Sequence, residues 1–169
     1  MVLKKSAKTN WPTISILTCT YNGEATIEKC LNSFFKQDYP LDKIEWIIAD
    51  GGSSDKTVEI IKKWQKKYPK IIKFFINETK FSDGIGRGYD LFSRKANHEV
   101  IWFMDQDNIL IQKNWLSNMV KVLVENKDIV AVQSRMVVPK NGTVLDKYLN
   151  AIGIEDPFAI DYSLNAQII

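Results

Sequence analysis

Ile101-Trp102-Phe103-Met104-Asp105-Gln106-Asp107-Asn108 is an apolar run that ends abruptly in two carboxylates two positions apart. The run has the length and bulk of a buried strand. If the extended backbone persists to its end, Asp105 and Asp107 share one face. Two acids at a strand exit form a hard-oxygen site suited to Mg²⁺ or Mn²⁺, with positions left open for substrate phosphates. The same residues also suit a polar turn that closes a strand, with Asn108 as a third turn former. The rest of the chain has to decide between the two.

Upstream, short apolar runs alternate with helical periodicity. Ile14 to Cys19 reads as strand one, broken by Thr20-Tyr21-Asn22-Gly23, where Asn22 is placed to cap a helix. Ile27, Cys30, Leu31, Phe34 and Phe35 recur at helical spacing, so that helix is expected over Glu24 to Lys36, ended by Asp38-Tyr39-Pro40. Ile44 to Ala49 is strand two, closed by Asp50-Gly51-Gly52-Ser53-Ser54-Asp55, where Ser53 or Ser54 can cap the second helix. Val58, Ile61, Trp64 and Tyr68 mark the buried stripe of that helix, and Ile71 to Ile76 is strand three. Asn77 to Gly88 reads as a polar, glycine-bearing loop, with a helix over about Tyr89 to Ala96 and strand four over Val100 to Met104.

Downstream, Leu116, Met119, Val120, Leu123 and Val124 give another helix, and Asp128 to Val138 one strand or two short ones. Thr143 opens a last amphipathic helix through Leu145, Tyr148, Leu149 and Ile152; Thr143 and Asp146 have capping-box spacing, and Gly153 suits the position past its end. No repeat, low-complexity segment or interdomain linker interrupts the pattern, so residues 1–169 are expected to form a single domain.

Alternation of strand and helix predicts an α/β fold: a mostly parallel, doubly wound sheet flanked by helices. Ligands of such sheets bind beyond the carboxyl ends of the strands. Thr20-Tyr21-Asn22, Asp50, the Gly84 region and the pair Asp105 and Asp107 all follow strands, so all four clusters are expected at one crevice. A carboxylate at position 50 suits a base N–H or a ribose hydroxyl. Asp83-Gly84-Ile85-Gly86-Arg87-Gly88 is neither a dinucleotide fingerprint nor a P-loop, yet its small residues admit close backbone approach and Arg87 can pair with a phosphate.

Other classes are disfavoured. A net charge of +3 is too small to argue for nucleic acid. The Lys62, Lys63, Lys66, Lys67, Lys70 and Lys73 cluster reads mostly as a solvated helix face, with peripheral contact to anionic lipid as its weaker alternative. Cys19 and Cys30 lack metal-like spacing and read as reduced core residues of an intracellular protein. His98, the only histidine, sits in a turn at the end opposite the crevice and reads as a surface residue. No apolar h-region follows the first ten residues, and no run is long enough to span a bilayer, so a cytoplasmic location is expected.

Three ordered stretches carry a resemblance: Ile14 to Gly23, Ile47 to Thr57, and Asp105-Gln106-Asp107, with Leu31-Asn32-Ser33 and Gln37-Asp38-Tyr39-Pro40 between the first two. Together they resemble family 2 of the glycosyltransferases, from about Pro12 to about Val138. The resemblance implies a GT-A fold that uses a sugar nucleotide, usually a UDP-sugar, and Mn²⁺ or Mg²⁺. It implies that Thr20 and Tyr21, with the adjoining Asn22, line the base and ribose pocket, and that Asp50 contacts the base. Arg87 would lie near the uridine or diphosphate, Asp105 by the ribose and metal, and Asp107 on the metal itself.

The family's usual inverting transfer needs a carboxylate base for the acceptor hydroxyl, on a glycan or a lipid-linked sugar. Glu155-Asp156 is the only Glu-Asp pair downstream, and it comes early, so a short or truncated member lacking the acceptor half is expected. A sugar-nucleotide-binding module without turnover, completed by another chain, is the alternative; a homo-oligomer is compatible with either. A nucleotidyltransferase of related fold competes less well, because Thr20-Tyr21-Asn22-Gly23 stands where those carry a glycine-rich basic loop.

Overall fold

The computed structural model describes residues 11–76 and 84–134. They belong to two compact units, one ending at Asn114 and the other beginning at Trp115. The first unit runs β1 (Ile14–Thr20), α1 (Ile27–Phe34), a short 3-10 turn (Leu41–Lys43), β2 (Ile44–Asp50), α2 (Thr57–Lys67), β3 (Ile72–Ile76), α3 (Ile85–Ser93) and β4 (Val100–Phe103). The second contains α4 (Trp115–Glu125), whose buried positions are Leu116, Ser117 and Val120.

The four strands are parallel, in the order β3-β2-β1-β4. The chain first winds outward from β1 through β2 to β3, then returns to place β4 on the other side of β1. The reversal puts a switch point between β1 and β4, where crevices open at carboxyl ends of open α/β sheets. Thr20 pairs with Asp50 and Asp50 with Ile76, so β1, β2 and β3 end level, whereas β4 ends at Phe103 opposite Leu17, three residues before the end of β1.

Strand alternation splits the side chains of β1 and β2 between two faces. Trp46 meets Phe34 of α1 edge-on, with ring centroids 4.6 Å apart, and its Nε1 donates to Thr18 Oγ1 at 2.9 Å. The opposite face buries Leu17, Ile47 and Ala49 against Phe92 of α3. Burying a ring such as Phe34 or Phe92 contributes about 1.5–3 kcal/mol each. Helices therefore cover both faces, as the alternating pattern requires.

At the amino end of the sheet Glu45, nearly inaccessible, gathers four donors. Its Oε1 accepts from Ser15 Oγ at 2.6 Å and from Asn97 N; its Oε2 accepts from Asn97 Nδ2 at 2.7 Å and from Lys73 Nζ. Burial alone would raise its pKa, but the bonds from Lys73, Ser15 and Asn97 outweigh it and bring it down to about 2. His98 N donates to Ser15 Oγ at 3.1 Å, which puts the histidine at this pole, far from the strand exits.

Several boundaries differ from the sequence pattern. Helix α1 starts at Ile27 rather than Glu24, because Glu24 is engaged by its backbone N–H with Asp55 and by its carboxylate with Lys56 N. Helix α3 starts at Ile85, four residues before the expected Tyr89, so Gly86, Arg87 and Gly88 are helical rather than looped. Glycine costs about 1 kcal/mol in a helix, but Gly88 lies where a Cβ would stand 2.6 Å from Cys19 Sγ, so its smallness lets α3 close on β1. Strand β4 lies at the edge of the described sheet and is half-buried, with Ile101 39% and Phe103 53% exposed, not the buried strand its composition suggests.

Across 128–134 only an isolated bridge at Val132 replaces the expected strand, and Val130 there is 87% exposed, so its apolar pattern does not reflect burial. Residues 135–138 and the helix expected from Thr143 lie outside the described residues. Both cysteines are free; Cys30 is buried, whereas Cys19 is half-buried rather than core. Lys62, Lys63, Lys66 and Lys67 form a solvated face on α2, and Lys67 sits 5.1 Å from the Trp64 ring centroid. No helix among the described residues is long and apolar enough to cross a membrane.

Candidate active site

Two loops at the carboxyl end of the sheet are stitched together, residue by residue. Asn22, at φ 45°, donates its N–H to Ser53 Oγ at 2.8 Å and accepts from Ser54 N at its Oδ1 at 2.9 Å. Gly23 N donates to Thr57 Oγ1 at 2.7 Å, and Glu24 N to Asp55 Oδ2 at 3.0 Å. Lys56 N returns a bond to Glu24 Oε2 at 3.0 Å. Asn22 therefore ties the loops instead of capping α1, whose N-cap, Thr26, makes no side-chain cap bond. Asp55, not Ser53 or Ser54, serves the start of α2: its Oδ1 accepts from Thr57 N at 2.9 Å.

Asp50 anchors the second loop from inside. Its Oδ2 accepts from Gly52 N and Ser53 N, each at 2.9 Å, and its Oδ1 from Ser53 Oγ and, at 3.2 Å, from Thr20 Oγ1. The residue is 1% exposed. Gly52, at φ 94°, supplies the left-handed step that brings these N–H groups round to the carboxylate.

The acidic stretch is a turn rather than a continued strand. Extended backbone ends at Phe103; Asn108 N donates to Asp105 O at 3.2 Å, and Asp105 N to Asn108 Oδ1 at 3.1 Å. Alternation therefore cannot orient the two acids. The turn does so, with Asn108 as its polar closer. Gln106, between the acids, reaches back to the first loop: its Oε1 accepts from Tyr21 N and its Nε2 donates to Tyr21 O, both at 3.1 Å. A Cβ at position 23 would stand 2.3 Å from Gln106 Oε1, so the clamp needs glycine there.

Asp105 and Asp107 are both exposed. Asp105 Oδ1 accepts from Tyr89 Oη at 2.9 Å. Cys30 Sγ donates to Asp105 O at 3.6 Å, and the thiol is pushed up to about 12 by burial, then by the charges of Asp107 and Asp105. Burial likewise raises Tyr89, helped by Asp105 and by Asp107. Two groups on different elements thus feel both acids, so the carboxylates charge one neighbourhood. No cluster of three or more metal-ligating side chains exists among the described residues. Two exposed carboxylates nonetheless suit Mg²⁺ or Mn²⁺, which are commonly held by one or two carboxylates plus substrate phosphates. The donor set therefore fits such a cation.

With this geometry, comparison with known proteins is decisive. The sequence profile described as glycosyl transferase family 2 matches residues 15–165. The chain belongs to glycosyl transferase family 2. Its fold is GT-A. A mannosyltransferase from Pyrobaculum calidifontis, solved with GDP-Man and Mn²⁺, superposes with a TM-score of 0.63 at 28% identity over 68% of this chain and 33% of that one. Residues 1–349 of S. aureus TarS, solved with UDP-GlcNAc, superpose with a TM-score of 0.65 at 29% identity over 78% of this chain and 36% of that one. A dolichyl N-acetyl-alpha-D-glucosaminyl phosphate 3-beta-D-2,3-diacetamido-2,3-dideoxy-beta-D-glucuronosyltransferase of Methanococcus voltae is 45% identical over 78 residues, 43% of this chain. This family 2 chain spans 24% of that relative's length.

The site residues expected of this family 2 chain are distributed unevenly. Thr20, Tyr21, Asn22, Asp50, Asp105 and Asp107 come together at the carboxyl end of the sheet. Arg87 is exposed on the first turn of α3. Glu155 and Asp156 lie outside the described residues. Sequence reasoning gave no such role to Gln106, Tyr89, Asp55 or Thr57, and read Ser53 only as a helix cap, yet these five hold the others in place. Glycine at position 23 was the one available signal for the Gln106 clamp, since it marks a close approach without naming the partner.

Proposed function

We propose that this chain is the donor-binding part of a metal-dependent glycosyltransferase, built as one domain, that takes a UDP-sugar and transfers its sugar with inversion to a glycan or lipid-linked acceptor in the cytoplasm. The observation that carries the reading is the continuous lock from Asp105-Gln106-Asp107 through Tyr21 to the Asp50 loop, all at the switch point of a parallel sheet. The UDP-GlcNAc and GDP-Man held by similar solved structures support a sugar nucleotide as ligand.

Asp105 and Asp107 would hold Mn²⁺ or Mg²⁺, which when bound supplies positive charge where the departing diphosphate gathers negative charge. The chain's own residues do the rest. Thr20, Tyr21 and Asn22 border the base and ribose. Asp50 meets a base N–H at Oδ1, where its two donors, Ser53 Oγ and Thr20 Oγ1, are hydroxyls that can rotate away. Arg87 faces the diphosphate from α3. The proton of the acceptor hydroxyl needs a carboxylate base, for which Glu155 or Asp156 is this chain's candidate and a missing acceptor half the main alternative source.

Calorimetry with UDP and GDP, with and without Mn²⁺, tests this. UDP should bind with Mn²⁺ and weakly without it, and Asp107→Ala should remove the difference. Equal UDP binding in both conditions and in the variant would overturn the proposal.

A further inference from the structure

Tyr89 has no part in the roles assigned above, yet its hydroxyl touches one of the two acids. It follows Gly88 on α3, and the missing Cβ at Gly88 lets the helix lie against Cys19 at the end of β1. Its ring packs edge-on against Phe103, the last residue of β4, with centroids 4.9 Å apart. Its Oη donates to Asp105 Oδ1 at 2.9 Å. Backbone and ring together therefore fix where that hydroxyl stands. The next residue, Asp90, turns outward to Arg94 at 2.9 Å and takes no part.

We propose that Tyr89 is a positioning residue that orients the Asp105 carboxylate for the cation and nucleotide, an inference that rests on the site reading above. The hydroxyl engages Oδ1 and leaves Oδ2 of this exposed carboxylate for the ligand. A phenol suits this task better than a cation would. A lysine or arginine at the same distance would cancel part of the charge that attracts the metal, whereas a neutral donor fixes the rotamer and leaves the charge in place. Asp107 accepts no hydrogen bond from the other described residues, so the turn presents one oriented carboxylate and one that can adjust. That division suits a cation that demands near-octahedral geometry yet arrives with its phosphates already attached.

Tyr89→Phe keeps the ring on Phe103 and removes the hydroxyl alone. UDP affinity in the presence of Mn²⁺ should fall about five- to tenfold, the effect of one hydrogen bond to a charged group. UDP affinity without metal and the unliganded melting temperature should stay unchanged. Tyr89→Lys should weaken Mn²⁺ binding, read by its electron paramagnetic resonance signal, more than Tyr89→Phe does. Metal-dependent UDP binding of equal strength in wild type and Tyr89→Phe would overturn the role of Tyr89 alone. An equal loss with and without metal would make Tyr89 merely structural and overturn it too. Metal-independent binding by the wild type would overturn the cation reading, and this role with it.

Discussion

Gln106 grips the backbone of Tyr21 from both sides, accepting from its N–H and donating to its carbonyl at 3.1 Å each. One side chain thus joins the acidic turn to the loop after β1, across 85 residues of sequence. Gln106→Ala should lower nucleotide affinity about tenfold, since two hydrogen bonds that order the loop are lost. Gly23→Ala should do the same by pushing the amide out. The double variant should be little worse than either single one, because both remove the same contact. Titration calorimetry on the four proteins checks this.

Thr57 is fully buried and relays between loops: its Oγ1 accepts from Gly23 N and donates to Asp55 Oδ1. Thr57→Val keeps the shape but strands a buried N–H. Urea unfolding should show a loss of about 1–3 kcal/mol. Thr57→Ser, which restores the hydroxyl, should recover most of it.

Gly88→Ala places a Cβ 2.6 Å from Cys19 Sγ, and the helix or the sulfur must shift. A cost of about 1–3 kcal/mol is expected from overpacking. Cys19→Ala in the same protein should restore stability, because the remaining Cys19 Cβ lies 3.8 Å away, an ordinary contact. A pair of thermal melts decides the matter.

Glu45 ties the opposite pole of the sheet. Its folded pKa of about 2 lies below the ordinary value of 4.5, so its contribution is complete above pH 4.5 and is lost as pH falls toward 2. Glu45→Gln should flatten that part of the stability profile. Glu45→Ala should cost about 1–3 kcal/mol at neutral pH, chiefly by leaving the Ser15 and Asn97 donors without their acceptor, since Lys73, 44% exposed, keeps water on its ammonium. Denaturant midpoints measured from pH 2 to pH 7 give the test.

The sheet was legible because its strands are apolar runs separated by helical periods, and the clusters at Thr20, Asp50 and Asp105 fell at or beyond strand ends for the same reason. Asp105 and Asp107 were legible as an acid pair, but the geometry behind them was not: period-two alternation implies a strand, whereas Asn108 closes a turn. The start of α3 was hidden by Gly86 and Gly88; at Gly88 the close approach to Cys19 outweighs the local preference. Edge exposure of β4 depends on which strands neighbour it, and composition does not carry that information. Tyr89 and Gln106 were invisible for a plainer reason. Each acts through a partner 16 or 85 positions away, and no local pattern encodes such a distance.

The stitching of residues 22–24 to residues 53–57 also governs how the site can be re-engineered. Each loop supplies the donors and acceptors that the other lacks, so neither carries its shape alone. Transplanting the second loop from a relative that prefers a different base will succeed only if the first travels with it. Diversification at this crevice should accordingly proceed by exchange of matched pairs.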